Sequence, residues 1–259
     1  AVCFLHSYAN SANEDVVESV AAEFPGCYVS LSSQVLPEIG EYGRVSTVAA
    51  NAYVQPLMDK YLSELSQALA GRGMHGAFYV MNSNGGTLSL DLARKFPVRL
   101  VESGPAAGVS IAAHFARELG HPNLVAFDMG GTTAKISLIS DGEPTRTTEL
   151  EVAHVRRFQK GSGLLLKAPA VDLIEIGAGG GSIAAVNDFG LLNVGPESAS
   201  SMPGPACYGR GGTSATVTDA DLLLGYFNPD YFLGGKMKLH ADKAAAAVER
   251  AVGKVLGVD

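Results

Sequence analysis

Hydrophobic residues make up 47% of the 259, enough for one large core or two smaller ones. The net charge of -7, from 19 basic and 26 acidic side chains without a basic block, argues against a nucleic-acid partner, whose phosphates need clustered Lys and Arg. Cys3, Cys27 and Cys207 lie too far apart for a disulfide framework or a zinc site, which predicts free thiols in a reducing cytoplasm, and no uncharged apolar run or basic leader predicts a membrane span or a secretion signal.

The first stretch, AVCFLHSY, reads as a half-buried strand that starts without a lead-in, as in a piece of a longer chain. Asn13 then precedes EDVVESVAAEF, whose early acids and apolar Val16, Val17, Val20 and Phe24 predict a capped amphipathic helix ending before Pro25-Gly26. YVSLSS (28–33) reads as a strand. Leu57, Tyr61, Leu62, Leu65 and Leu69 recur at helical spacing up to Gly71. AFYVM (77–81), the turn NSNGG, a helix at 88–95, a strand VRLVE and a helix from Pro105 to Leu119 continue the alternation of an α/β architecture.

The pattern changes near residue 121, which predicts a subdomain boundary between 1–120 and 121–259. LVAFDMGGTTAKISLIS (124–140) reads as two strands around a glycine turn, with a second turn at Asp141-Gly142. DLIEIGAGGGSIAAV repeats the theme of a strand running into glycines, and NDFG reverses the chain into LLNVG. VGPESASSMPGPACYGRGG (194–212) is a long surface or binding loop, and the Ala-rich C-terminus is an outer helix with a packed stripe.

Two glycine loops carry the candidate chemistry. In Asp128-Met129-Gly130-Gly131-Thr132-Thr133 the glycines let backbone N–H groups approach phosphate oxygens, and the two Thr hydroxyls add donors. Asp128 repels phosphate, so it needs a cation between them; Mg2+ or its water shell is the natural one. Lys135 offers a point charge. These residues fit a plain β-hairpin with a Gly-Gly turn equally well. The second loop, Gly177, Ala178, Gly179, Gly180, Gly181 and Ser182, strips away side chains where a strand ends. Three consecutive glycines lose much backbone entropy on folding, which the approach of a flat or charged ligand would offset, although a structural turn also accounts for them. Neither loop is a dinucleotide fingerprint or an ordinary P-loop. Asp172 and Glu175 flank the strand before the second loop as acid candidates. His6, His75, His114, His121, His154 and His240 are scattered without ligand spacing, and Cys207 has no His beside it in sequence.

AVCFLHSYAN, SNGG, VESGPAAGV, FDMGGTTAK, EIGAGGGSIA, GPESASSMPGPACYGRGGT and VTDADLLLGYFNPDYFLGG together resemble the hydantoinase A, oxoprolinase and acetone carboxylase family, from the first residue to about Gly235. The resemblance implies an α/β ATPase core of the actin-like, sugar-kinase-like type, with ribonuclease H-like subdomains enclosing ATP and Mg2+. It implies ATP-dependent opening of a cyclic amide such as a hydantoin or 5-oxoproline, or carboxylation of a ketone, through phosphorylation of a carbonyl or enolate oxygen. A non-catalytic nucleotide-binding or scaffold subunit is the alternative of a different class. Asp128 to Thr133 then resembles a phosphate-binding hairpin, with Asp128 the catalytic and metal residue, and Gly177 to Ser182 a nucleotide-side loop. Many relatives carry a hydroxyl residue and an Asp where Ala134 and Lys135 stand, so any metal role for that Asp is absent here. Members also carry an earlier D-x-G-G-T-x-T-D segment, whereas this chain has the pattern once, at Asp128. It therefore resembles the central and C-terminal part of the domain, expected to be inactive alone. A hydantoinase B-type subunit is the partner the resemblance implies, and homo-oligomerisation is left open.

Overall fold

The computed structural model describes residues 1–153, 155 and 161–258, so His154 lies outside the described residues. The chain forms two compact units, Ala1–Ala126 with Ser137–Asp172, and Phe127–Ile136 with Leu173–Asp259.

In the first unit the opening residues make one parallel bridge, Val2 to Leu31, rather than a strand. Helix α1 forms where its acids and apolar spacing predict but spans Ala12–Ala21, with Asn13 inside it and Ser11 at the N-cap position, and it turns its apolar face outwards: Val16 and Val20 are exposed and Glu14 is its buried residue. The strand expected at 28–33 does not form: Leu31 makes the single bridge to Val2, and α2, Ser32–Val35, follows at once. Glu14 supplies the reason. Its carboxylate accepts from Ser32 Oγ at 2.6 Å and from the Ser33 amide at 2.8 Å, an amide that a strand would have given to a ladder. Arg44, also fully buried, donates from Nη2 to Ser32 Oγ at 2.9 Å, so one hydroxyl links the two charges.

Arg44 belongs to α3, Glu41–Gly71, whose first half carries little of the expected periodicity. Packing decides that half. Ser46 Oγ donates to the Leu165 carbonyl, Thr47 Oγ1 accepts the Lys167 amide at 2.8 Å, and Val48 enters a core with Val35, Val98 and Leu166. The periodic residues are less buried than their spacing predicts: Leu57 is 71% and Tyr61 56% exposed, while Leu62 is buried.

Strands β1 (Tyr79–Met81) and β2 (Thr87–Ser89) form a hairpin around NSNGG, and α4 (Leu90–Lys95) follows with Ser89 as N-cap. The strand expected in VRLVE is a 3-10 helix, Pro97–Leu100. Pro97 has no N–H to give a ladder, the Val98 amide donates to Asn51 Oδ1 at 3.2 Å, and Ser83 occupies the carbonyls of Arg99 and Val101. Helix α5, Ser103–Glu118, stops at Gly120 as predicted. Strands β3 (Leu124–Met129), β4 (Ala134–Ser140) and β5 (Glu143–Pro144) form a sheet in chain order, with Asp141-Gly142 turning β4 into β5 at positive φ on both residues. Sequence reading missed the ribbon of β6 (Arg146–Val152) and β7 (Leu164–Val171), which supplies Leu166 to the core.

In the second unit the first residues of β4 pair with β8 (Ile174–Ile176), Ala134 opposite Ile176 and Lys135 opposite Glu175. Strands β9 (Ser182–Val186) and β10 (Leu192–Ser198) form the hairpin that NDFG predicts. The long loop packs Cys207 against Leu222 of α6 (Val217–Leu223), Leu239 and Ala244 of α7 (Ala241–Val248). The C-terminal helix continues through a π-turn at Glu249–Gly253. Among the described residues, no helix is long and apolar enough to cross a membrane.

Candidate functional site

The hairpin between β3 and β4 is closed by the Gly130 amide, which donates to the Thr133 carbonyl at 2.9 Å. Its tip is open. Asp128, Gly130, Gly131 and Thr132 are exposed and Thr133 is half-buried, and among the described residues no acceptor takes the Gly131 or Thr132 amide. Backbone donors and two hydroxyls therefore stand at the end of a strand whose last turn carries a carboxylate.

The second loop lies against the base of that hairpin. The Gly180 amide donates to the Gly130 carbonyl at 2.9 Å and the Gly181 amide to the Gly131 carbonyl at 2.7 Å. The Gly179 amide donates to Ser182 Oγ at 2.8 Å, and Ser182 is fully buried. These donors have internal acceptors. The close approach that the glycines permit is loop on loop: a Cβ on Gly179 would sit 2.6 Å from both the Gly130 carbonyl oxygen and the Thr132 nitrogen. Gly177, half-buried, precedes this contact.

Helix α6 completes the brace, and sequence reading did not single it out. Thr218 gives both its amide, at 2.8 Å, and its hydroxyl, at 2.7 Å, to the Gly180 carbonyl. Buried Asp219 accepts from the amides of Ala206 (3.2 Å), Cys207 (2.7 Å) and Thr216 (3.0 Å) and from Thr216 Oγ1 (2.7 Å). The signal was present as Thr216-x-x-Asp219, a capping box, in which the helix start and the loop before it share one carboxylate.

Other candidates fall elsewhere. Lys135, 17% exposed at its side chain, lies 3.9 Å from Glu175, its cross-strand partner, so phosphate would compete with that carboxylate. Asp172 is exposed in the first unit, its amide held by the Thr145 carbonyl at 2.9 Å. Burial, and then the hydrogen bond and charge of Asp219, push the Cys207 thiol up to about 12, which removes it as a nucleophile near neutral pH. Among the described residues no three His, Cys, Asp or Glu side chains gather as a metal cluster. Asp128 and the Thr132 and Thr133 hydroxyls are oxygen donors of the kind Mg2+ takes, since that ion is held by one or two carboxylates and completes its shell with phosphate oxygens and water.

A family model for hydantoinase/oxoprolinase matches residues 44–259. The chain belongs to the hydantoinase/oxoprolinase family. It is 37% identical to the acetophenone carboxylase gamma subunit of Aromatoleum aromaticum, over 100% of this chain and 35% of that protein. It superposes on the ATP-dependent caprolactamase of Pseudomonas jessenii with a TM-score of 0.75 and 33% identity, covering 100% of this chain and 36% of that one. A nucleotide-free acetone carboxylase gives a TM-score of 0.73 at 31% identity, covering 99% and 36%. The chain thus spans little more than a third of the curated relatives it matches along its whole length. Its mixed α/β fold is the one these enzymes share, and the family includes ATP-dependent amide hydrolases and ketone carboxylase subunits.

Proposed function

We propose that this chain forms part of the nucleotide site of an ATP-dependent hydrolase that opens a cyclic amide of the hydantoin or 5-oxoproline type by phosphorylating its carbonyl oxygen. The observation that carries the reading is the open hairpin tip, where the Gly131 and Thr132 amides and the Thr132 and Thr133 hydroxyls stand beyond Asp128. Phosphoryl transfer needs positioning and charge neutralisation more than a protein nucleophile. The two amides and two hydroxyls bind and orient phosphate oxygens. Gly130 closes the turn that presents them, and Gly177 to Ser182 contribute by bracing that turn. Asp128 holds Mg2+ or its water, and Mg2+ when bound supplies charge neutralisation on the phosphates. Lys135 adds a positive charge held by Glu175. The complete protein works in the cytoplasm with a hydantoinase B-type subunit, a proposal supported by relatives named as subunits of larger enzymes.

The second reading, an ATP-dependent ketone carboxylase subunit, is favoured by the 37% identity to an acetophenone carboxylase subunit, as close as the 36% to a caprolactamase subunit. ATP hydrolysis by the full-length protein with its partner subunit separates the two. Stimulation by hydantoins, 5-oxoproline or a lactam is expected; stimulation only by a ketone with bicarbonate would replace the first reading with the second. No turnover on either panel would leave a nucleotide-binding scaffold.

A further inference from the structure

The first unit holds a small cleft that the nucleotide reading does not use. It measures about 200 Å3 and is lined by Gln55 and Asp59 of α3 and by Asp91, Arg94 and Lys95 of α4. That volume lies below the roughly 300–1,000 Å3 of sites for larger ligands, so the cleft suits a molecule smaller than a nucleotide.

Its wall presents a buried amide whose orientation is fixed from behind. Asn51 Oδ1 accepts the Val98 amide, so Asn51 Nδ2 faces the other way and donates to the Lys95 carbonyl at 3.1 Å and to Ser30 Oγ at 2.9 Å. The Ser30 hydroxyl, accepting from Asn51, sends its own proton to Gln55 Oε1 at 3.0 Å. Gln55 therefore keeps Nε2 for the cleft. Only 8% of this residue is exposed, and among the described residues no acceptor takes Nε2. The cleft thus offers one preset donor for a ligand oxygen.

Around that donor the charges fall into two groups. Asp59 is engaged within the protein: it accepts from Arg94 Nε and, at 2.8 Å, from the Tyr28 hydroxyl, and these bonds hold its carboxyl below the usual carboxylate range. Arg94 is oriented by the same pair. Its Nη atoms make no hydrogen bond among the described residues, and Nη1 stands 3.9 Å from Asp91 Oδ1. Asp91 and Lys95 are exposed at the mouth. They have the four-residue spacing of a helical ion pair, yet among the described residues they do not come within ion-pair distance, and Lys95 Nζ lies over the Phe96 ring at 5.6 Å. With Asp59 and Arg94 neutralising each other, the mouth keeps one anion and one cation. A ligand carrying only a carboxylate is opposed by Asp91, one carrying only an amine by Lys95 and Arg94, and a zwitterion satisfies both.

We infer that this cleft binds a small zwitterionic amino acid, its carboxylate held by Gln55 Nε2, Arg94 and Lys95 and its ammonium by Asp91. Hydrolysis of a ring C–N bond leaves a carboxylate where the carbonyl was and an amine where the ring nitrogen was. Opening a lactam or 5-oxoproline therefore yields a molecule of this class, and the cleft prefers that product to its cyclic parent. The source of the ligand rests on the ring-opening reading above, whereas the ligand class rests on the residues.

The test is calorimetric titration of the full-length protein with 6-aminohexanoate and with glutamate, the ring-opened forms of a lactam and of 5-oxoproline, beside hexanoate and 5-oxoproline as the counterparts without an ammonium. At least one zwitterion is expected to bind roughly tenfold more tightly than its counterpart, and which one does so identifies the source. Asp91→Asn, at an exposed position, is expected to reduce that preference to within about twofold. Gln55→Glu keeps the acceptor for Ser30 and the shape of the side chain but replaces Nε2 with oxygen, and is expected to weaken zwitterion binding roughly tenfold. No zwitterion binding by the wild-type protein, no preference over the counterparts, or unchanged affinity and preference in both folded variants overturns the inference. Should Gln55→Glu fail to fold, Asp91→Asn decides alone. ATP turnover on cyclic amides is measured separately: its absence overturns the ring-opening reading and leaves the binding result standing, whereas absent zwitterion binding beside intact turnover overturns the cleft alone.

Discussion

Gly179→Ala separates a loop built for packing from one built for ligand. The added methyl carbon would lie 2.6 Å from the Gly130 carbonyl oxygen and the Thr132 nitrogen and 2.7 Å from the Thr132 carbonyl carbon. All three are backbone atoms, so relief requires the two loops to part rather than a side chain to swing. Overpacking of this kind costs about 1–3 kcal/mol. Parting the loops also weakens the bonds from the Gly180 and Gly181 amides to Gly130 and Gly131, each contributing about 1 kcal/mol. The sum is on the order of 3 kcal/mol, or roughly 6–12 °C in melting temperature for a domain of about 150–250 residues. Gly131→Ala is the control, since a Cβ there meets nothing within 4 Å and its φ is not positive. It is expected to melt within about 2 °C of wild type while weakening nucleotide binding, because it changes the exposed tip alone. Differential scanning fluorimetry and calorimetric Mg-ATP titration of the full-length variants check the pair. A Gly179→Ala protein that melts like wild type, beside a destabilised Gly131→Ala, would refute the packing argument.

Asp128→Ala is expected to lower ATP turnover in the complete enzyme by at least about a hundredfold, with stability within about 0.5 kcal/mol because the side chain is exposed; near-normal turnover would remove its metal role. Burial acts to raise the Glu14 pKa, but hydrogen bonds from Ser32 and the Ser33 and Phe4 amides outweigh it and lower it from 4.5 to about 2. That carboxylate therefore stabilises the fold fully above about pH 4.5 and loses its contribution, roughly 3 kcal/mol, as the pH falls towards 2. Urea titrations between pH 2 and 7 should show this acid limb, flattened in Glu14→Gln. Iodoacetamide at pH 8 is expected to modify exposed Cys27 and spare buried Cys207 in the folded protein, read by peptide mass spectrometry. Because the Cys207 pKa is raised, its contribution is intact below the unfolded value near 9 and is lost as the pH climbs towards 12. Equal labelling of the two thiols would contradict the burial.

What the sequence determined by itself was local. Gly120, the Asp141-Gly142 turn, NDFG and the hairpin at Gly130-Gly131 were legible because turn chemistry is decided by a few neighbouring residues. The helical spacing before Gly71 and the α/β class were legible for the same reason, as was family membership, from motifs spread along the chain, whereas α5 starts at Ser103 and not at the expected Pro105. Tertiary structure decided whatever depended on partners distant in sequence. Glu14 turned a predicted strand at Ser32 into a helical turn, and Asn51 with Ser83 took the backbone groups that a strand at 98–101 would have paired. The ribbon β6–β7, whose core contribution comes from Leu166, was not read from its alternation, because Val35, Val48 and Val98, the residues that bury it, come from the first hundred positions. The glycines of 179–181 were visible, but their neighbours were not. A run of residues without side chains records that something approaches closely, and only the fold shows that Gly130, Gly131 and Thr132 are what approaches.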